Sequence, residues 1–248
     1  MATKNYEPFR GSGKLYLRKY GAAAALAEVG NCNAVKFAVE LDSQEIPDYT
    51  SPAGGTYASD DRIKSGTVSF TAWDFNTANL TRAMAASATS VPTPAAAVGT
   101  YTAFVGGLIL LDGLNPSGVT VVDHATPATE YVKDVDYEVR PEGIYILDGA
   151  IADGTDIDIT PTAFTAHDVI EAMVTSGDEY ELVFAGINSA TGLSHREQVF
   201  KVKFSPADVD LISDGFGSIA FIAKMLKDTT VSGTGVSQYY KTLKQAAA

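Results

Sequence analysis

The residue types that could do chemistry are few in this sequence, and they stand apart from one another. The stretch Gly11-Ser12-Gly13-Lys14 has the ending of a phosphate-binding loop. A functional loop of that kind needs Ser or Thr after the lysine and a glycine near its start, because backbone N–H groups and the hydroxyl hold phosphate and magnesium. Leu15 and Pro8 occupy those two positions. The sequence therefore predicts no nucleotide site here.

Histidine and cysteine give no sign of a metal centre or a nucleophile. His124, His167 and His195 are isolated from one another, whereas metal sites bring several such ligands together at short spacings. Cys32 is the one cysteine, so the chain can form no internal disulfide. It has no histidine nearby in sequence and stands where a strand is predicted to begin, which favours a buried or half-buried thiol over a nucleophile. We expect no cofactor and no metal.

Two pairs of aspartates, Asp134/Asp136 and Asp156/Asp158, place both carboxylates on one face of a predicted strand. Such a pair can bind calcium or serve as general acid and base. Aspartate alternating with Val or Ile is also typical of a solvated sheet face. The sequence has no esterase-type serine motif and no dinucleotide fingerprint. We therefore expect that the chain is not an enzyme.

Composition and charge limit the classes of fold and function that the chain can belong to. The 248 residues carry 30 acidic and 18 basic side chains, a formal net charge of −12. An acidic chain is a poor nucleic-acid binder, because affinity for phosphate comes from Lys and Arg. β-branched and aromatic runs between Gly and Pro predict a mainly β fold. No apolar run reaches the length of a membrane span, and the polar N-terminal residues predict no secretory signal.

The stretch 30–46 is the clearest predicted strand, since apolar and polar residues alternate from Val35 to Asp42. Residues 46–63 are polar and rich in Pro and Gly, and they predict a long loop. Loops of this length are usually functional or disordered. Two interpretations remain open: a solvated hairpin tip, or an assembly arm that orders on a neighbouring subunit. The candidate contact residues in this loop are Asp48, Tyr49, Tyr57, Asp60 and Asp61.

A second hairpin is predicted from residues 179–204, with a turn at Asn188–Gly192. A short helix begins near Asp74, which is the predicted N-cap. Residues 216–226 predict a final strand, and 238–245 a short helix. The polar faces of the long strands carry a set of charged side chains that we expect on one wet face: Lys36, Glu40, Glu179, Glu181, Lys201 and Lys203.

The predicted organisation has four parts. Residues 1–12 form an N-terminal arm, and residues 229–248 form a polar C-terminal tail. Residues 13–114 and 164–228 form the main β domain. Short strands at close spacing predict a small β module inserted at 115–163.

Taken together, this pattern resembles the tail tube protein, or major tail protein, of long-tailed bacteriophages. The resemblance rests on four stretches: the strand after Val29-Gly30-Asn31 with its return Val68-Ser69-Phe70, the helix containing 79–84, the hairpin 180–188 with its return 202–206, and the closing run 216–228. It implies a β-sandwich or barrel-like subunit with a flanking α-helix. The module at 115–163 departs from the minimal pattern of that family.

The resemblance also implies a function. Such subunits form six-fold rings that stack into a hollow tube, which conducts DNA and houses the tape-measure protein. The implied partners are further copies of the chain, the tape-measure protein, the tail terminator, the distal tail or baseplate proteins, and DNA passing without specific contacts. The six wet-face residues would line the lumen and the loop would join rings. The implied location is the virion, after synthesis in the bacterial cytoplasm, with no membrane involved.

Two other classes of function remain open from the sequence. The first is a β-rich adhesin or carbohydrate-binding module, for which exposed Tyr131, Tyr137 and Tyr145 would be the recognition residues. The second is a hydrolase that uses the Asp pairs. Within phage structural proteins, a tail terminator or a capsid decoration protein is the nearest alternative.

Overall fold

The computed structural model describes residues 7–50, 52–93 and 97–246. These residues form the following elements: β1 Gly11–Lys19, β2 Ala27–Glu28, β3 Cys32–Pro47, β4 Thr56–Ala72, α1 Thr77–Ala83, β5 Ser87–Val91, β6 Gly99–Ala103, β7 Leu108–Leu110, β8 Leu114–Ser117, β9 Thr120–Asp123, β10 Tyr137–Arg140, β11 Gly143–Ile146, β12 Thr155–Thr160, β13 Ala163–Thr165, β14 His167–Glu171, β15 Glu179–Asn188, β16 Leu193–Phe204, β17 Ile219–Met225 and β18 Tyr240–Lys244. The prediction of a mainly β fold with one flanking helix is confirmed for this part of the chain.

The chain divides into two compact units. Unit 2 spans Ala88–Val169, and unit 1 consists of the segments before and after it. The inserted unit is therefore larger than the predicted module at 115–163. The reason lies in strand pairing, because β6 pairs with β12 and β7 pairs with β11. The segment 88–114, assigned from sequence to the main domain, supplies strands to the inserted unit.

Unit 1 is built on one eight-stranded sheet with the order β2-β1-β15-β16-β17-β4-β3, and β18 pairs with β16 beside β17. β2 and β3 stand at opposite ends of this order, yet only residues 29–31 separate them in the chain. The two ends of the sheet must therefore lie close together, so the sheet is rolled. The described strands do not close it into a barrel by hydrogen bonds.

The core of unit 1 fills the inside of this roll. Alternate residues of the long strands point into it, as the period of two requires. The largest fully buried side chains include Phe70 of β4, Phe221 of β17 and Leu182 of β15. Phe70 and Phe221 pack with ring centroids 5.1 Å apart. This face is apolar throughout, so the polar residues between these positions must point outward.

Helix α1 packs on the core through Ala83 and Leu80. Its N-cap is Asn76, whose side-chain oxygen accepts from the Asn79 backbone N–H at 2.8 Å. The predicted cap, Asp74, is wrong: its carboxylate accepts instead from the Asn31 backbone N–H at 2.6 Å. Asp74 therefore fixes the start of β3 rather than the start of the helix.

The predicted long loop is for the most part a β-ribbon. β3 and β4 stay paired out to Pro47 and Thr56, with Ser43 opposite Asp61 and Ile46 opposite Ala58. The turn that joins them is confined to the residues between Pro47 and Thr56. The loop prediction failed because both faces of this ribbon are wet, so the sequence shows no alternation of apolar and polar residues. We refer to residues 39–64 as the arm.

The two predicted terminal segments are partly incorporated into the sheet. Residues 240–244 form β18, paired with β16 from Val199 to His195, so the predicted helix at 238–245 and the separate tail are both wrong. Tyr240 packs against Phe37 and anchors this strand. Of the predicted N-terminal arm, residues 1–6 lie outside the described residues. Gly11 and Ser12 belong to β1, where they pair with β15.

Unit 2 has its own core, and its described residues include the sheets β10-β11-β7 and β6-β12-β9 and the strand pair β13-β8. Ile144, Ile146, Ile157 and Ile159 are fully buried there. The buried carboxylate of Asp136 accepts from the backbone N–H groups of Val132 at 2.7 Å and Ala150 at 2.8 Å. These two bonds tie separate loops of unit 2 to one side chain.

Candidate functional site

The outer face of β15 and β16 carries two groups of paired charges. Lys201 Nζ lies 2.7 Å from Glu179 Oε2, and this hydrogen bond raises the pKa of Lys201. Glu181 forms an ion pair with Arg18 of β1. Gln198 donates its side-chain N–H to the other Glu181 oxygen at 2.7 Å. Each of these two carboxylates therefore neutralises a neighbouring cation. We call this surface the polar wall.

The other predicted wet-face residues are only partly joined to the polar wall. Lys203 lies opposite Glu179 in the β15–β16 ladder and opposite Lys224 of β17. Lys36 and Glu40 are exposed on β3, at the far end of the strand order. Because the sheet is rolled, β3 faces a different direction from β15. The structure thus brings four of the six residues together and leaves Lys36 and Glu40 apart from them.

The described residues of the arm are exposed, except for Asp48, which is half-buried. Residues 39–47 and 52–64 are all exposed in the single chain. The most exposed apolar side chains are Tyr49 at 86 %, and Tyr57 and Ile63 at 70 % each. A free two-stranded ribbon is marginally stable in water at best. Within the single chain, the described residues of the arm have almost no cover.

Local hydrogen bonds keep the arm extended. Ser43 and Asp61 are hydrogen-bonded across the ribbon, and Thr56 donates to Glu45 at 3.2 Å. At the tip, Asp48 accepts from the backbone N–H and the hydroxyl of Thr50. Asp60, Asp61 and Tyr57, predicted as loop residues, are strand residues of β4. These contacts set the direction of the arm without burying its apolar side chains.

The tyrosines proposed as a carbohydrate platform do not form one. Tyr131 and Tyr137 are buried in the core of unit 2, at 7 % and 3 % exposure. The guanidinium of Arg140 covers the ring of Tyr145, with 3.8 Å from Cζ to the ring centroid. The sequence could not distinguish these core rings from exposed ones. An aromatic sugar-binding surface built from these residues is therefore contradicted.

Asp136, Asp156 and Asp158 are hydrogen-bonded within unit 2, and the predicted shared strand face of Asp134 and Asp136 is wrong, because both lie in a turn before β10. Asp156 and Asp158 accept from Thr102 and Thr100 on the neighbouring strand β6, and His124 also contacts Asp158 at 2.9 Å. The bond from Thr100 is the first cause of a lowered pKa at Asp158. Asp136 is buried as described above. Within the described ranges, no group of three or more His, Cys, Asp or Glu side chains is placed to hold a metal ion.

The other residues considered for a phosphate site or a nucleophile, Gly11–Lys14 and Cys32, lie in strands of the main sheet. Gly11–Lys14 lies in β1, paired with β15, so its backbone N–H groups do not form a phosphate cradle. Cys32 is half-buried at the start of β3, and burial raises the pKa of its thiol to about 11. A thiol with that pKa is protonated at neutral pH and is a poor nucleophile. In the part of the chain that the structure describes, no helix has the length and apolar character to cross a membrane.

One exposed apolar segment was missed from sequence. Residues 210–217 precede β17, and their large apolar side chains lie in solvent: Leu211, Ile212 and Phe216 are 85 %, 97 % and 96 % exposed. The sequence predicts Phe216 in the final strand because it adjoins an apolar run. The signal that could have separated it is the Asp and Gly content of the preceding residues.

Comparisons with known proteins identify one family. Residues 8–243 match the family described as Protein of unknown function UCP028589. No curated protein matches the sequence.

Proposed function

We propose that this chain, a member of the family described as Protein of unknown function UCP028589, is the tail tube subunit of a long-tailed bacteriophage. In this proposal copies of the chain form six-fold rings, and the rings stack into a hollow tube. The tube conducts DNA and houses the tape-measure protein. The subunit is made in the bacterial cytoplasm and functions in the virion. The tail terminator and the distal tail or baseplate proteins cap the two ends of the tube.

The observation that carries the proposal is the exposed arm. Val39, Leu41 and Ile63 are 50 %, 59 % and 70 % exposed, and burial of such side chains contributes about 1.5–3 kcal/mol each. A soluble monomer gains nothing by holding them in water on a long ribbon. In a polymer of identical subunits, each subunit buries the exposed apolar side chains of its neighbour. This burial stabilises the polymer relative to the monomer.

The polar wall supports a role as the lumen lining. Two of its cations are neutralised by carboxylates, as the Lys201–Glu179 and Arg18–Glu181 pairs indicate. A surface of paired charges offers little net attraction to phosphate, so DNA can pass without being held. We therefore assign Glu179, Glu181, Lys201 and Lys203 to the lumen. Lys36 and Glu40 lie on β3, apart from the polar wall, and we do not assign them to the lumen.

Sedimentation velocity over a concentration series tests self-association. The proposal predicts that the 26.1 kDa chain converts into species of at least six copies as its concentration rises. A chain that sediments as a monomer throughout, including after addition of crowding agent or salt, would contradict the proposal. It would favour a binding module whose partner is another molecule.

A further inference from the structure

A half-open cavity of about 150 Å³ lies in unit 1, where the C-terminal end of α1 meets the segment that precedes β15. Its lining includes two cations, Arg82 of α1 and Lys203 of β16. These two cations share one small cavity in a chain whose formal net charge is −12. We call this feature the basic pocket and define it by Arg82, Lys203 and residues 175–177.

The guanidinium of Arg82 is held in place but keeps most of its hydrogen-bond donors free. Its Nη1 donates to Asn79 Oδ1 at 2.6 Å, and its Cζ lies 5.7 Å from the centroid of the Tyr180 ring. A guanidinium has five N–H donors, and the described residues accept one hydrogen bond from this one. Burial lowers the pKa of Arg82, and no carboxylate among the described residues opposes that shift. None of its nitrogen atoms is both buried and without a partner, so the free donors are open to solvent.

Lys203 is the second cation of the basic pocket. Both carboxylates of the polar wall are already paired with other cations, and Lys203 forms no ion pair with any described residue. Its Nζ lies beside Gly177, 3.4 Å from the position that a Cβ would take there. Lys203 therefore brings an unpaired positive charge to the segment that lines the cavity.

The groups that could repel an anion from the basic pocket already have partners. Asp178, the one carboxylate among the described lining residues, forms an ion pair with Lys19 at 2.9 Å. The carbonyl oxygens of Met84 and Ala85, at the end of α1, each accept a backbone N–H at 3.0 Å. The cavity therefore keeps an excess of positive charge, which a bound anion would neutralise.

We infer that the basic pocket binds a phosphate-sized oxyanion. A guanidinium fork and an ammonium are the side-chain groups that proteins use to bind phosphate, and two positive charges match a dianion better than a single carboxylate. The volume fits this class of ligand, because pockets for larger organic ligands measure roughly 300–1,000 Å³. The site goes beyond the proposed tube function and does not depend on it.

Isothermal titration calorimetry of the full chain with inorganic phosphate tests the site. We expect saturable binding of one phosphate per chain, with a dissociation constant of about 1 mM or lower. Lys203→Gln should weaken this binding at least about tenfold, because it removes one of the two charges. The matched control is Lys36→Gln, which removes the same charge from an exposed position on β3 and should change the affinity less than about twofold.

A second variant and a second measurement complete the test. Arg82→Lys keeps the charge but loses the fork, and it should also bind phosphate at least about tenfold more weakly. In about 20 mM phosphate, the unmodified chain should melt at least about 2 °C higher than in sodium chloride of equal ionic strength. Absence of both binding heat and this shift, or equal affinities of Lys203→Gln and Lys36→Gln, would overturn the inference. Neither result bears on tube formation, so the inference and the proposed function are tested separately.

Discussion

Asn79 is a buried polar side chain that connects three parts of unit 1. It is fully buried, and its side-chain N–H groups donate to the carbonyl oxygens of Val29 at 2.9 Å and Asp74 at 2.8 Å. Its oxygen accepts from Arg82 at 2.6 Å. The side chain therefore fixes α1 to the segment that leads into β3, and so to the origin of the arm.

Replacing Asn79 with alanine tests this role. The variant Asn79→Ala removes the hydrogen bonds to the Asp74 carbonyl and from Arg82 and one of the two bonds to the Val29 carbonyl, which should lower the free energy of unfolding by roughly 2–4 kcal/mol. Chemical denaturation followed by circular dichroism measures the loss. Asn33→Ala, an exposed asparagine of β3, is the control and should change stability by less than about 0.5 kcal/mol. Equal stability of both variants would contradict the structural role.

Asp136 makes the stability of unit 2 depend on pH in the acid range. Backbone N–H groups of Ala150 and Val132 bond its carboxylate and lower its pKa below the ordinary value of a carboxyl group. Because the folded-state pKa lies below the unfolded one, near about 3.9, the stabilisation is complete above pH 5. It is lost as the pH falls through the folded-state pKa.

The variant Asp136→Asn tests that prediction. The amide cannot accept both backbone bonds with its nitrogen in place of an oxygen, so we expect a loss of about 1–2 kcal/mol at neutral pH. The loss should shrink as the pH falls below about 4, because the carboxyl is then protonated in the unfolded chain, and it should be smallest below the lowered folded-state pKa, where the native carboxyl is protonated too. Thermal melts at a series of pH values measure the difference. A constant difference at all pH values would contradict the assignment.

At the scale of elements, the arm is the feature whose removal should separate folding from assembly. A variant in which an Asn-Gly turn joins Asp42 to Arg62 removes the outer ribbon, and such turns close two-stranded hairpins well. Because the removed residues are exposed, the melting temperature of unit 1 should change little, while tubes should fail to form. Circular dichroism and electron microscopy measure the two effects. Normal tubes from this variant would show that the arm is dispensable.

The polar wall makes a second prediction at this scale. Changing Glu179 and Glu181 to lysine leaves Lys201 and Arg18 without these partners and makes the surface strongly cationic. Tubes should still form, but they should bind DNA in a salt-dependent manner and slow its passage. Co-sedimentation of tubes with duplex DNA at low and high salt measures the binding. Glu130→Lys with Glu142→Lys in unit 2 is the control, and equal DNA binding by both variants would contradict the lumen assignment.

The sequence predicted some of these elements and not others for clear physical reasons. The β15–β16 hairpin has one buried and one wet face, so its alternation is visible in the sequence, and it was found correctly. The arm has two wet faces and was taken for a loop. β18 was taken for a helix because its identity as a strand depends on β16, which offers a free edge past the end of β17. That pairing is not local, and no window of sequence contains it.

The candidate site, too, could be predicted from the sequence only in part. The charges of the polar wall were identified from strand faces, since residues two apart share a face. Their partners, Arg18 and Gln198, come from other strands and were not anticipated. The separation of Lys36 and Glu40 from the wall follows from the roll of the sheet. The exposure of residues 210–217 depends on where β17 begins, three residues later than the apolar run suggested.

At the scale of the whole molecule, every part of the proposal depends on self-assembly. The exposed arm and the paired charges of the polar wall each have a purpose in a polymer of identical subunits. Both features belong to unit 1, and unit 2 has its own core.

Negative-stain electron microscopy of the purified chain across a concentration series tests the central claim most directly. We expect rings at lower concentrations and hollow tubes of uniform width at higher concentrations, with six-fold symmetry in end-on views. Dispersed particles of monomer size at every concentration, with the chain folded by circular dichroism, would contradict it.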